Sequence, residues 1–389
     1  MSKAKQQIKK ILFVAQGDVE KWPAGTEVFI KNLARRLSLL PYRVFVLCAS
    51  NAPGVTKVNG VTYIKVRYFN ISFFSTISFN IQVLIKYLSL LTKINLDYAV
   101  FCGIGSAYSL MYLLKPDKTK RIYYAIDTMT KEYESKKDRL GLLARLNYRL
   151  KIYFDKKSCS VADMVLCSSR ETLAMVDKRY NIPFSKLELC YFGIDEDFSK
   201  GVPRVREKLE PQYQTDFLLV ATDHIRKGSF FFLDVLQLLR SRFKVYPKAI
   251  IIGDRDNNLL RLIQDRQLNV NVVPILPHEM MKWYFAGCKC LAVPSTSEGF
   301  CLVVIEAALL SRPAIVTAVG SLPEIVSDGS SGFVISRNKL LFAQKMMAIL
   351  RGGKWEQMGE SAKIYAQKFT LGRTVNTLDR ILERRGIAK

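Results

Sequence analysis

The chain has 389 residues, with 59 Lys and Arg against 34 Asp and Glu, a formal net charge of +25. Its 49% hydrophobic content, with only 21 Gly and 13 Pro, excludes disorder or a low-complexity repeat as the main state, and the length fits two domains. An excess of +25 implies an acidic partner: nucleic acid, an anionic membrane or a phosphorylated substrate.

The N-terminal "MSKAKQQIKK" is basic, but the apolar run after it, "ILFVA" (11–15), is too short for a signal-peptide core. That run reads as a strand, followed by the helical pattern "TEVFIKNLARRLSLL". Further apolar runs follow at 43–48, 61–66, 97–102, 122–126, 163–167 and 187–191. Continuous apolar strands separated by amphipathic helices indicate parallel sheets covered on both faces. The stretch 71–91 is the longest apolar segment, but Ser, Asn, Gln and Lys86 interrupt it, so no clear transmembrane helix is expected. The stretch 138–157 reads as a basic amphipathic helix. It has apolar residues at 140, 142, 143, 146, 150 and 153, with Arg139, Arg145, Arg149 and Lys151 between them. Two readings of 73–91 and 138–157 stay open: cover for the first sheet, or attachment to an anionic bilayer.

The polar, proline-containing stretch 193–216 reads as the domain linker. The α/β pattern then restarts with runs at 217–221, 248–253, 270–275, 290–294, 313–317 and 332–336. The expected fold class is α/β, with two Rossmann-like doubly wound domains facing across a cleft. The expected boundaries are 1–197 and 204–370, with a last helix at 371–389. The eight cysteines include no C-x-x-C pair and read as buried thiols of a reducing compartment.

Two segments carry chemistry. In "PSTSEGFCLVVIEAALL" (294–310), a helix starting near Phe300 would leave the backbone N–H groups of Phe300, Cys301 and Leu302 free to bind a phosphate or developing negative charge. Glu298 would lie in the loop, able to accept from sugar hydroxyls, and Glu306 in the helix, suited to a ribose diol. In "LLVATDHIRKGSFFFLDVL" (218–236), Arg226, Lys227 and Gly228 sit between a strand and a helix. A guanidinium fork, an ammonium and a close backbone approach at that place suit a pyrophosphate.

With "SLPEIVSDGSSGFVI" (321–335) and the "RKG" loop, these residues resemble the donor domain of glycosyltransferase family 4. Those are retaining, metal-independent enzymes of the GT-B fold that use nucleotide sugars. The likeness covers most of the chain. "ILFVAQGDVEKWPAGTEVFIKNLARRL" is similar to the family's first strand, glycine loop and helix, with Gly25 at a loop glycine. "FTLGRTVNTLDRILERR" resembles the helix that crosses back to the first domain. The resemblance implies that Glu298 contacts the transferred sugar, with the amides of Gly299 to Leu302 around it. It implies that Glu306 binds ribose and that Arg226 and Lys227 neutralise the diphosphate. No cofactor is implied beyond the nucleotide-sugar co-substrate, and no metal.

The sequence also departs from the family. Ala221 and Thr222 stand where an arginine is frequent, and Gly320-Ser321 replaces a double glycine. Cys301 replaces the glycine that usually follows the E-x-F triplet. Asp127 occupies the place of a frequent histidine and is the candidate for a polar group facing the acceptor or the reacting sugar, or else a helix cap. Glu324 reads as a ligand or a first-turn residue, His224 as a phosphate-loop or exposed residue, and His278 as a cap or surface residue.

Residues 1–157 carry 27 Lys and Arg against 10 Asp and Glu, so the expected acceptor half is the more basic. The expected partners are a nucleotide sugar, a glycolipid or polysaccharide acceptor and an anionic membrane surface. The expected place is the cytoplasm, peripheral to the inner face of the cell membrane. Alternatives are an epimerase or glycogen-type synthase on the same fold, and a silent partner subunit. The alternative from a different class is a basic nucleic-acid-binding protein, which would account for the charge but leave the glutamates idle; no helix-turn-helix, zinc-finger or RNP-like pattern is visible and no nucleic-acid partner is expected.

Overall fold

A computed structural model describes residues 8–20, 25–67, 72–103, 118–137, 140–203 and 205–387. Arg139 of the expected amphipathic helix and residues 21–24 and 68–71 lie outside these. The chain forms two compact units: 1–193 with 371–389, and 194–370.

In unit 1, eight strands make one sheet. They are β1 (Lys9–Ala15), β2 (Tyr42–Ala49), β3 (Gly54–Val58), β4 (Val61–Val66), β5 (Tyr98–Cys102), β6 (Lys120–Ala125), β7 (Met164–Cys167) and β8 (Leu187–Leu189). Their order is β3-β4-β2-β1-β5-β6-β7-β8. All pairs are parallel except the β3–β4 hairpin. The central strands are buried on both faces because helices cover them, which is why they read as unbroken apolar runs. β3 escaped the sequence reading for the opposite reason. Every residue of it is exposed on the sheet edge, so no apolar pattern marks it.

Unit 2 has six parallel strands: β9 (Thr215–Ala221), β10 (Ala249–Gly253), β11 (Val270–Val273), β12 (Cys288–Val293), β13 (Ala314–Thr317) and β14 (Gly332–Ile335). The order is β11-β10-β9-β12-β13-β14. Counted within the unit this is the doubly wound order 3-2-1-4-5-6. The chain winds one way from β9 and the other way from β12, so the carboxyl ends of β9 and β12 flank the topological switch point. In unit 1 the switch point lies between β1 and β5. Two α/β units with parallel sheets are what the alternation of apolar runs and helices predicts.

The stretch 193–216 is not a free connector. Phe198 is buried against the His278 ring, centroids 5.0 Å apart, and Leu209 is buried too. Arg206 donates to the carbonyls of Gly287 and Thr215. At the other passage between units, the Ile194 N–H bonds the Phe369 carbonyl at 3.0 Å. The last helix, Leu371–Ile387, packs in unit 1: Tyr42 Oη donates to Asp379 at 2.6 Å and Tyr98 Oη to the Leu382 carbonyl at 3.0 Å.

Candidate functional site

The Rossmann-type order directs attention to the loops after β9 and β12, because ligands of open α/β sheets bind at such switch points. The loop after β9 turns on Asp223, which accepts the Arg226 N–H on its carboxylate and the Lys227 N–H on its carbonyl. Gly228 then ends the loop in a left-handed conformation, φ 78°, at the N-cap of the helix Ser229–Phe243. A Cβ there would stand 2.4 Å from the Pro294 carbonyl oxygen. Gly228 therefore permits close contact between the two loops.

The two loops are joined by polar bonds. Thr296 N–H donates to the Arg226 carbonyl at 2.8 Å, and Arg226 Nη1 donates to the Ser297 carbonyl at 3.1 Å. Glu298 is 4% exposed and gathers the charges. Lys227 Nζ lies 2.8 and 3.0 Å from its two oxygens, Arg226 Nη1 3.4 Å from one, and Ser295 Oγ donates at 2.6 Å. Thr317 Oγ1 in turn holds the Ser295 carbonyl at 2.6 Å. Burial by itself would push the Glu298 carboxyl up, but Lys227 and Arg226 outweigh it and hold its pKa below the ordinary value. Burial opposes the Lys227 charge in the same way, and Glu298 overcomes it, so the ammonium's pKa is raised. Glu298 and Lys227 are therefore both charged at neutral pH. Arg226 Nε also lies 3.7 Å from an Asp223 oxygen, so two cations meet two carboxylates at the switch point.

The helix after β12 runs Leu302–Leu309, with Cys301 at its N-cap. It starts two residues later than expected, so Phe300 and Gly299 belong to the loop. The Cys301 side chain makes no capping bond, and burial pushes its thiol up to about 12. Glu306 lies one turn inside this helix, buried, and shares a bond of 2.7 Å with His278 Nε2. His278 opens the helix His278–Gly287 and its ring rests on Phe198. It is thus neither a cap nor a plain surface residue. No sequence signal ties it to Glu306, because the pairing is tertiary.

His224 is not exposed. It is buried, with Nδ1 2.8 Å from Ser229 Oγ and Nε2 2.7 Å from the Asp254 carbonyl, and so bridges the ends of β9 and β10. Glu324 lies in the first turn of the short helix Leu322–Ile325, and its carbonyl accepts from Tyr365 Oη.

In unit 1, Asp127 follows β6 and accepts the Thr128 N–H at 2.8 Å. The next helix, Met129–Lys136, has Thr128 as its N-cap, so Asp127 is not its capping residue. Asp127 lines a cavity of about 220 Å³ at the carboxyl ends of β1, β5 and β6, together with Gln16, Cys102, Gly103 and Glu27. Gly25 is exposed and opens the helix Gly25–Leu37. Two residues on, Glu27 was missed by the sequence reading, since first-turn acids are common. Burial raises its carboxyl pKa, while the N–H groups of Glu27 and Gly17 partly offset that. All eight cysteines are buried free thiols.

Two doubly wound units with this switch-point geometry define a GT-B architecture, and comparisons agree. The family described as Glycosyltransferase Family 4 matches residues 23–198, and that described as Glycosyl transferases group 1 matches 203–368. The chain belongs to the family 4-type glycosyltransferases.

Sucrose-phosphate synthase of Thermosynechococcus elongatus superposes with a TM-score of 0.84 at 16% identity, over 98% of this chain and all of that one. HepE of Anabaena, solved with UDP and glucose, gives 0.74 at 17% identity over 97% and 100%. WaaG, a glycosyltransferase involved in lipopolysaccharide biosynthesis, gives 0.73 at 17% over 95% and 99%. These likenesses concern the fold. Among curated sequences, a D-inositol 3-phosphate glycosyltransferase of Frankia alni is 37% identical over 216 residues, 50% of this chain and 53% of that protein. The O-antigen chain mannosyltransferase B of Escherichia coli is 24% identical over 212 residues, 52% and 55%. The chain spans less than two thirds of the length of the curated relatives it matches.

Proposed function

We propose that the protein is a retaining, metal-independent transferase that moves a sugar from a nucleoside-diphosphate sugar to a glycolipid, lipopolysaccharide or growing polysaccharide. The observation that carries the donor half is the Arg226–Lys227–Glu298 cluster at the switch point of unit 2, which holds two cationic side chains at the ends of β9 and β12. Relatives named for O-antigen and lipopolysaccharide work support the acceptor class.

Unit 2 takes the nucleotide sugar. Glu306, oriented by His278, accepts from the ribose diol. Lys227 and Arg226, held by Glu298, meet the diphosphate, and Glu298 accepts from a hydroxyl of the transferred sugar. The bond between the sugar's anomeric carbon and the diphosphate oxygen breaks, and the nucleoside diphosphate leaves with the electron pair. Fixed cations at that oxygen stabilise the charge separation of an oxocarbenium-like transition state, which is the task otherwise given to a metal. The acceptor hydroxyl bonds the anomeric carbon on the face the leaving group vacates, and its proton passes to the departing diphosphate. Unit 1 receives the acceptor, with Asp127 and Glu27 accepting from its hydroxyls in the switch-point cavity.

A thermal-shift screen against nucleoside-diphosphate sugars in EDTA tests this. One sugar nucleotide should raise the unfolding midpoint selectively, since a ligand that binds only the native state stabilises it by mass action. Response to none, or only with added divalent metal, would refute the donor assignment as stated.

A further inference from the structure

The helix Leu142–Val161 faces the wrong way for an ordinary surface helix. Its inward side carries a buried carboxylate and hydroxyl beside Cys159 and Val161, which join the core. Asp155, Ser158 and Cys159 are buried, and Asp155 accepts from Tyr123 Oη at 2.6 Å, from Tyr180 Oη and from the Met129 N–H. That carboxylate bolts the helix to β6 and to the helix Arg170–Tyr180. Burial raises the Asp155 pKa against these bonds.

The outward side is apolar. Leu142 is 84% exposed, Leu143 83%, Leu146 55%, Leu150 45% and Tyr153 56%. At 3.6 residues per turn, 142, 146, 150 and 153 stand in one ridge, roughly opposite Asp155. Exposed Arg145, Arg149 and Lys156 flank the ridge. The helix has no acid except the buried Asp155. A leucine left in water forgoes about 1.5–3 kcal/mol of burial, so a ridge of them spanning about three turns needs a cover. A second exposed stripe, Ile81, Ile85 and Leu88, runs along the helix Ser72–Lys93, whose other side buries Val83 and Tyr87. It is poorer in cations than 142–161. No helix among the described residues is long and apolar enough to cross a membrane.

We infer that the outward face of the 142–161 helix seats unit 1 on an anionic lipid bilayer. The leucines and Tyr153 enter the acyl boundary, and the flanking cations reach lipid phosphates, the geometry of an interfacial amphipathic helix. A bilayer fits better than a protein groove because the cations alternate with the ridge and no exposed acid on this helix balances them. The excess of Lys and Arg over Asp and Glu in residues 1–157 adds long-range attraction to such a surface. The inference deepens the proposed acceptor class but not the donor chemistry. Nucleotide-sugar thermal shift on lipid-free protein reads the donor site, and flotation reads this face.

The test is flotation of the full chain with vesicles of phosphatidylcholine alone and of phosphatidylcholine mixed with phosphatidylglycerol. Wild type should float only with the anionic vesicles. R145Q/R149Q should weaken that binding about 30-fold, from roughly 1 kcal/mol per cation. L142S/L143S should weaken it at least as much. Both variants should keep the wild-type unfolding midpoint, since these side chains are exposed. Wild type that stays unbound with anionic vesicles, or binds both kinds equally, overturns the inference. So does a wild-type dimer that L142S/L143S dissociates, because the ridge would then cover a second copy.

Discussion

Glu298 holds three partners on two oxygens, and its acidity follows from them. Its pKa lies below the ordinary 4.5, so the stability of the Lys227–Glu298 pair is complete above that value and is lost as pH falls through the lower folded value. Glu298→Gln leaves Lys227 buried without its carboxylate, and should cost about 3 kcal/mol at neutral pH. The difference in unfolding midpoint between wild type and variant should shrink on going from about pH 7 to about pH 3. A constant difference would place the effect elsewhere. Glu27 belongs to the same scale. If it accepts from an acceptor hydroxyl, Glu27→Gln should raise the acceptor KM about tenfold, the cost of one charged hydrogen bond. Hydrolysis of the nucleotide sugar should stay unchanged, and equal loss of both activities would contradict an acceptor role. Arg226, Lys227, Glu298 and Glu306 were legible because each pair sits a few residues apart on a strand–loop–helix frame. His278, His224 and Glu27 were not, because what distinguishes them is a partner or a cavity brought by another segment.

Among the elements, strands with two buried faces were legible and the exposed β3 was not. The basic amphipathic pattern of 138–157 was legible, but its direction was not. Apolar periodicity locates a stripe and does not say whether the stripe faces the sheet or the solvent. Asp155 decides that, through tyrosines from β6 and from the helix Arg170–Tyr180. The loop pair at the donor site has its own test. Gly228→Ala meets both a left-handed φ and the Pro294 carbonyl, and should destabilise the protein by about 2 kcal/mol or more. Donor binding should fall with it, as the Arg226 and Glu298 loops are forced apart. A variant of wild-type stability that binds donor normally would show that the loops do not need this contact.

For the whole molecule, the two-unit plan was readable from the restart of the apolar runs after residue 216. The place where the chain changes unit was not, because 193–216 looks like a linker in composition yet packs into unit 2 through Phe198, Arg206 and Leu209. The return of 371–387 to unit 1 has a thermodynamic consequence. Residues 1–193 alone would lack the partners of Tyr42 and Tyr98 and should unfold at a lower temperature than with a 371–387 peptide added. No effect of the peptide would contradict the docking. Charge, the first oddity of the sequence, divides between two proposed tasks: a pair of cations at the donor diphosphate, and a basic face of unit 1 turned to lipid.

The central claim is that Lys227 serves a diphosphate. Calorimetric titration of wild type and Lys227→Ala, with the nucleoside diphosphate of the selected donor and with its parent nucleoside, tests it most directly. The account predicts that the variant loses about 10- to 100-fold affinity for the diphosphate and keeps its affinity for the nucleoside. Equal loss for both ligands, or none for either, would contradict it.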